Sequence, residues 1–272
     1  MLKLKRFTGL LLVLVIAALS PADAFAASVV QLTPDIKASY DETAAVADSA
    51  TKARLTNLYA ELVMLQTQYD SREERIRVLH YKNEQMLSIV RKQIREIDAG
   101  IVSPLEAQTK STKERYQPLF DQYSSLSRRI SIARNLKDKN LNAVLNAQGD
   151  AMRVLVQLAR QDIRDKEAKL KTAKETRSLK IAAARKTLSS IESSQTEIKS
   201  RKSVVTALNK RLSADWSSFK SAIRKHNPMI ASQSLSSLVS MLRQIAGSKQ
   251  TIEGLEQRIS VVIERTKAQI SS

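Results

Sequence analysis

The sequence predicts an all-α protein built from long antiparallel helical hairpins that form an elongated coiled-coil rod or bundle. Three observations point there. Only five glycines and five prolines occur in 272 residues, so few positions invite a turn. Aromatic residues make up 4% of the chain against 43% apolar residues in all, which suits narrow aliphatic stripes better than a thick globular core. Apolar residues also recur at alternating spacings of three and four over dozens of positions, the pattern of helices that bury one seam.

The first element is read as a secretory signal peptide over residues 1–26. Lys3, Lys5 and Arg6 precede the apolar run Leu10 to Leu19, followed by Pro21 and the small-residue site Ala24-Phe25-Ala26. A run of this length falls short of the roughly 20 residues a membrane span needs, so cleavage after Ala26 and export are expected, with a secreted or envelope-associated location. The chain has no cysteine, so neither a disulfide nor a lipid-modified thiol is expected.

Four helices follow, each from a start signal. Thr33-Pro34 and Asn227-Pro228 place a capping side chain before a first-turn proline. In AGIVSPLEA (99–107), Gly100 suits a left-handed C-terminal cap, and Ser103, Pro104 and Glu106 form a new capping box. Gly149-Asp150 pairs a glycine with an acidic cap. The reading gives helix A over 34–99, B over 104–147, C over 150–226 and D over 228–270, with Pro118 either kinking B or starting a shorter helix. Short connections make consecutive helices antiparallel, so two hairpin domains are expected, 27–149 and 150–272, the longest helix reaching on the order of 100 Å at 1.5 Å per residue.

The seams are explicit. Helix A carries Leu55, Leu58, Leu62, Leu65, Tyr69, Arg72, Ile76, Leu79, Asn83, Met86, Val90, Gln93 and Ile97. Helix C carries Ile181, Ala184, Leu188, Ile191, Gln195, Ile198, Lys202, Val205, Asn209, Leu212, Trp216, Phe219, Ile223 and His226. Helix D runs from Leu235 through Leu238, Leu242, Ile245, Lys249, Ile252, Glu256, Ile259, Ile263 and Thr266 to Ile270. Asn83 and Asn209 either fix register inside the seam or face solvent where the seam drifts. Trp216 and Phe219 sit at seam spacing, which favours core packing over a stacking platform.

Charge is concentrated. The formal net charge is +18. Residues 151–227 hold 19 basic and 7 acidic residues, whereas residues 27–150 hold 18 and 16. Between Ala151 and Lys180 the seam thins to Val156, Ile163 and Leu170, and the stretch RDKEAKLKTAKETRSLK is nearly all charge. Pairs Asp162–Lys166, Asp165–Lys169 and Glu167–Lys171 are spaced to support the helix at four-residue separation.

Chemistry-bearing patterns are missing. His80 and His226 are far apart and match no zinc-ligand spacing, no GxSxG elbow or phosphate-cradling glycine loop occurs, and adjacent acids such as Asp41-Glu42 and Glu73-Glu74 do not converge on one substrate. The sequence therefore points to a non-enzyme with no cofactor and no metal. Its outline of a signal peptide followed by helical hairpins resembles, in architecture alone, the coiled-coil regions of bacterial cell-wall hydrolase regulators, and its basic charge resembles that of periplasmic holdase chaperones.

The functional expectation is an exported coiled-coil scaffold that associates with an anionic envelope polymer or an acidic membrane surface. The expected binding residues are Lys166, Lys169, Lys171, Lys174, Arg177, Lys180, Arg185 and Lys186, since a row of uncompensated positive charge attracts polyanions with little discrimination. The alternative is an adaptor, regulator or holdase-type chaperone that binds envelope proteins, or itself, through the apolar seams. The basic stretch lacks interleaved aromatics, which argues against nucleic acid.

Overall fold

The computed structural model describes residues 30–271, and every regular element among them is an α-helix. The expected signal peptide lies outside the described residues. Six helices follow in order: α1 (Pro34–Ala45), α2 (Ser49–Glu96), α3 (Ala99–Asn135), α4 (Lys139–Ser189), α5 (Ile191–Arg224) and α6 (Pro228–Ser271).

Two of the four expected starts hold. Thr33 Oγ1 accepts the Ile36 N–H ahead of Pro34, and Asn227 Oδ1 accepts the Ile230 N–H ahead of Pro228. These caps satisfy N–H groups that have no partner within the helix. Helix A is interrupted at residues 46–48, and Asp48 starts α2 by accepting the N–H groups of Ala50 and Thr51.

The other two expected boundaries are overturned. At AGIVSPLEA, the left-handed residue is Asp98 (φ 51°), and α3 already runs from Ala99 through Gly100, Ser103, Pro104 and Pro118. Gly100 has a negative φ, so it is not a C-terminal cap. Pro104 forfeits one helical hydrogen bond without ending the helix, and Pro118 also stays inside α3 rather than starting a new one. Gly149 lies inside α4, where a Cβ would meet Ile130 Cδ1 at 3.0 Å. That glycine permits close helix approach and ends nothing. The actual reversal is Leu136–Asp138: Lys137 adopts φ 56° and Asp138 caps α4 by accepting the Leu141 N–H. Helix C is divided at Ser190, where the Ser189 and Ser190 hydroxyls donate to the carbonyls of Lys186 and Thr187.

By packing, the chain groups into two compact units, residues 30–73 with 206–246 and residues 74–205 with 247–271. In the first, α5 and α6 form an antiparallel hairpin about residues 225–227, and Ser237 donates to Asp215 across it. α2 runs parallel to α6, with Arg243 of α6 paired to Glu61 of α2. Leu55, Leu62, Leu212, Trp216, Phe219, Leu235, Leu238 and Ile245 are buried there, and Trp216 stacks on Phe219 at 5.5 Å, the core role their spacing predicts. α1 closes this unit: Tyr40 stacks on Tyr59 at 4.2 Å, and Thr43 Oγ1 donates to the last-turn carbonyl of Ile223 at 2.9 Å.

In the second unit, three helical segments share a core of Ile76, Leu87, Val90 and Ile94 from α2, Ala184, Leu188, Ile191 and Ile198 from α4 and α5, and Ile252, Leu255, Ile259 and Ile263 from α6. The α3–α4 hairpin continues from this core, with a smaller cluster of Leu126, Ala133 and Leu145 near its turn. α4 meets Arg95 and Asp98, then Glu106, then Lys113, in descending order along its own sequence. The path from α2 into α3 therefore does not reverse at Asp98, which is the physical reason no hairpin corner forms at AGIVSPLEA.

Candidate anionic-surface interface

The expected binding residues all lie on α4. The face of α4 toward α3 carries small or aliphatic side chains such as Leu145, Gly149, Val156 and Ala159, while Ala184 and Leu188 farther along enter the core shared with α2 and α6, so its charged residues flank or oppose these contacts. At 3.6 residues per turn, Lys166, Lys169 and Lys180 fall to one side of the contact, Lys171, Lys174 and Arg185 to the other, and Lys186 on the outer face. With Arg177 half-buried on the contact side, the eight residues straddle the hairpin rather than form a single stripe.

Three of them are engaged across the hairpin. Lys174 pairs with Glu106 at 2.7 Å, Lys180 with Asp98 at 3.3 Å, and Arg177 Nη2 donates to the Arg95 carbonyl at 3.0 Å, satisfying an open carbonyl at the end of α2. Lys171 reaches Glu175 at 4.0 Å within α4. Lys166, Lys169, Arg185 and Lys186 make no ion pair among the described residues. The lysines in these cross-hairpin pairs are about half exposed, so each pair adds little stability and leaves its ammonium open to a competing anion.

None of the three four-residue ion pairs expected within α4 forms: two of the acids pair across the hairpin instead, and the third bonds a glutamine of its own helix. Asp162 accepts from Arg115 at 3.0 Å and from the Tyr116 hydroxyl at 3.1 Å, Glu167 pairs with Lys113 at 2.6 Å, and Asp165 accepts from Gln161 at 2.7 Å. Because α4 spends two of its acids on α3, fewer remain to neutralise its own lysines. The whole hairpin, residues 99–189, holds 19 basic and 9 acidic residues. Arg128, Arg129, Arg134, Lys137 and Lys139 cluster by its turn, a group hidden in sequence because residues 27–150 are nearly neutral as a block.

A second cluster lies in the three-helix part of the same unit. Glu256, 2% exposed, accepts from Asn83 Nδ2 at 2.8 Å and bonds His80 Nδ1 at 2.9 Å; Asn83 also donates to the Glu256 carbonyl at 2.8 Å. The hydrogen bond to Glu256 raises the His80 pKa above its ordinary value, against the opposing effects of burial and Lys202. Asn83 is therefore buried inside the seam and bonded to a facing helix rather than turned to solvent. Asn209 is half-buried and donates to the Tyr69 hydroxyl at 3.4 Å. His226 is exposed beyond α5 with φ 46°, 4.0 Å from Glu42.

Among the described residues no group of three or more His, Asp or Glu is placed to hold a metal, and no helix is long and apolar enough to cross a membrane. No protein-family model, curated protein or solved structure matches the chain.

Proposed function

We propose that the protein is a non-enzymatic, exported helical scaffold that associates with an anionic envelope surface through its α3–α4 hairpin. The observation that carries this reading is the excess of ten positive charges over residues 99–189, on a two-helix element whose acids are largely spent on internal pairs. A charged surface of this kind draws polyanions by long-range attraction, with little demand on the ligand's detailed shape. The seams expected to serve an adaptor are consumed inside the chain: Leu235, Leu238, Leu242, Ile245, Ile252, Ile259 and Ile263 of α6 are all buried. That burial favours the charge-based reading over the adaptor or chaperone reading.

Retention of the chain from residue 27 onward on immobilised teichoic acid and on acidic vesicles, over a rising salt series, tests the proposal. Binding through exposed charge falls steeply as the screening length shrinks. Retention that persists at high salt would favour the adaptor reading.

A further inference from the structure

The end of the α3–α4 hairpin carries apolar side chains that no described residue covers. Leu136 in the turn is 70% exposed, Ile132 at the end of α3 58%, and Leu141 and Val144 at the start of α4 43% and 58%. The row continues along α4 through Leu155 and Leu158. At 3.6 residues per turn, Leu141, Val144, Leu155 and Leu158 share one arc of the helix, displaced from the arc of Leu145 and Val156 that faces α3. α4 therefore has two apolar faces near the turn, of which one is covered.

The surroundings of the open face narrow what fits it. Residues 128–160 hold seven basic and two acidic residues, with Arg128, Arg129, Arg134, Lys137 and Lys139 around the exposed Ile132, Leu136 and Leu141. A second copy of this chain would bring the same positive charge onto itself, which opposes pairing. A hydrophilic wall polymer matches the charge but offers nothing to the leucines. An anionic bilayer surface supplies both, apolar contact at the acyl boundary and negative headgroups for the lysines and arginines around it. We infer that the hairpin end seats on an anionic lipid surface, with Leu136 and its apolar neighbours entering the headgroup region. This rests on the proposed anionic-surface reading and commits it to lipid.

Because the chain has no cysteine, a single introduced thiol can report on this end alone. Leu136→Cys, and Ser240→Cys on an exposed position of α6 as the reference, would each carry an environment-sensitive nitrobenzoxadiazole label in the chain from residue 27 onward. On phosphatidylcholine vesicles containing phosphatidylglycerol, the probe at 136 should brighten and shift to the blue while the probe at 240 stays unchanged. Soluble teichoic acid should change neither. Combined Leu136→Ser, Leu141→Ser and Val144→Ser should weaken vesicle binding by about tenfold or more, from lost apolar contact, with helicity and polymer retention unchanged. A silent probe at 136 on vesicles that bind the protein overturns this inference and leaves the charge-based proposal standing. An equal response on vesicles of phosphatidylcholine alone overturns the role of anionic lipid. Absence of binding to both vesicles and polymer overturns the proposal and the inference together.

Discussion

Replacing Asn83 by leucine should destabilise the protein by about 2 kcal/mol, and the reason is its partner. Glu256 is almost wholly buried, and its carboxylate is served by Asn83 Nδ2 at 2.8 Å and by His80 at 2.9 Å. A hydrogen bond to a charged group contributes about 1.5–3 kcal/mol, and a buried charge deprived of a donor retains its desolvation cost. Asn83→Leu removes that donor and the second bond to the Glu256 carbonyl. Glu256→Leu should cost about 1–3 kcal/mol by taking the carboxylate from one Asn83 N–H and from His80, although the bond from Asn83 to the residue-256 carbonyl remains. The paired variant removes both polar groups from the same seam and extends its aliphatic packing, so it should cost much less than the two single changes together. The coupling energy should reach about 1.5–3 kcal/mol, measured by urea unfolding of all four proteins followed by far-ultraviolet circular dichroism. Additivity within about 0.5 kcal/mol would refute the idea that Asn83 and Glu256 form one interacting layer.

Three further outcomes follow from the same geometry. His80 has a folded pKa raised above 6.5 chiefly by its bond to Glu256, with Glu84 also raising it and Lys202 opposing; its contribution is complete below the unfolded value and lost as pH rises through the folded value. Melting temperature should therefore drop more on moving from acidic to alkaline buffer for the native protein than for His80→Gln, and parallel drops would contradict the assignment. Gly100→Ala should stabilise α3 by about 0.5–1 kcal/mol in urea unfolding, because its φ is negative and a Cβ meets nothing within 4 Å; destabilisation would restore the capping role its sequence suggests. Asp138→Ala should cost about 1 kcal/mol in the same assay through loss of the α4 cap, and a neutral effect would show that the Leu141 N–H finds another partner.

What the sequence made legible is what depends on short-range periodicity. Every described residue in the helix D seam from Leu235 to Thr266 is buried, even Lys249 and Glu256, because a three-four spacing determines the face of a helix without reference to its partner. Glycine is ambiguous by comparison. Gly149 looks like a helix end but provides room for Ile130, and Gly100 follows a left-handed aspartate that carries no sequence signal of its own. The real reversal, Leu136-Lys137-Asp138, contains neither glycine nor proline, and its left-handed residue is a lysine, so only the Asp138 cap was readable. Within the candidate interface, the lysine-rich stretch was apparent. The choice of Asp162 and Glu167 to bond α3 rather than their own helix depends on the register between two helices, which no local pattern encodes.

Under the proposed function the hairpin, rather than positive charge in general, meets the anionic surface. A salt series on immobilised teichoic acid and acidic vesicles should compare three chains from residue 27 onward. One is native; one carries Lys166→Gln, Lys169→Gln, Lys171→Gln, Arg185→Gln and Lys186→Gln, residues that make no ion pair across the hairpin among the described residues. The third carries five matched replacements elsewhere, Lys52→Gln, Arg54→Gln, Lys82→Gln, Arg91→Gln and Lys92→Gln. The hairpin variant should elute at lower salt with a shallower salt dependence while the control variant tracks the native protein, all three keeping the same helicity. Equal losses from the two variants would contradict the account.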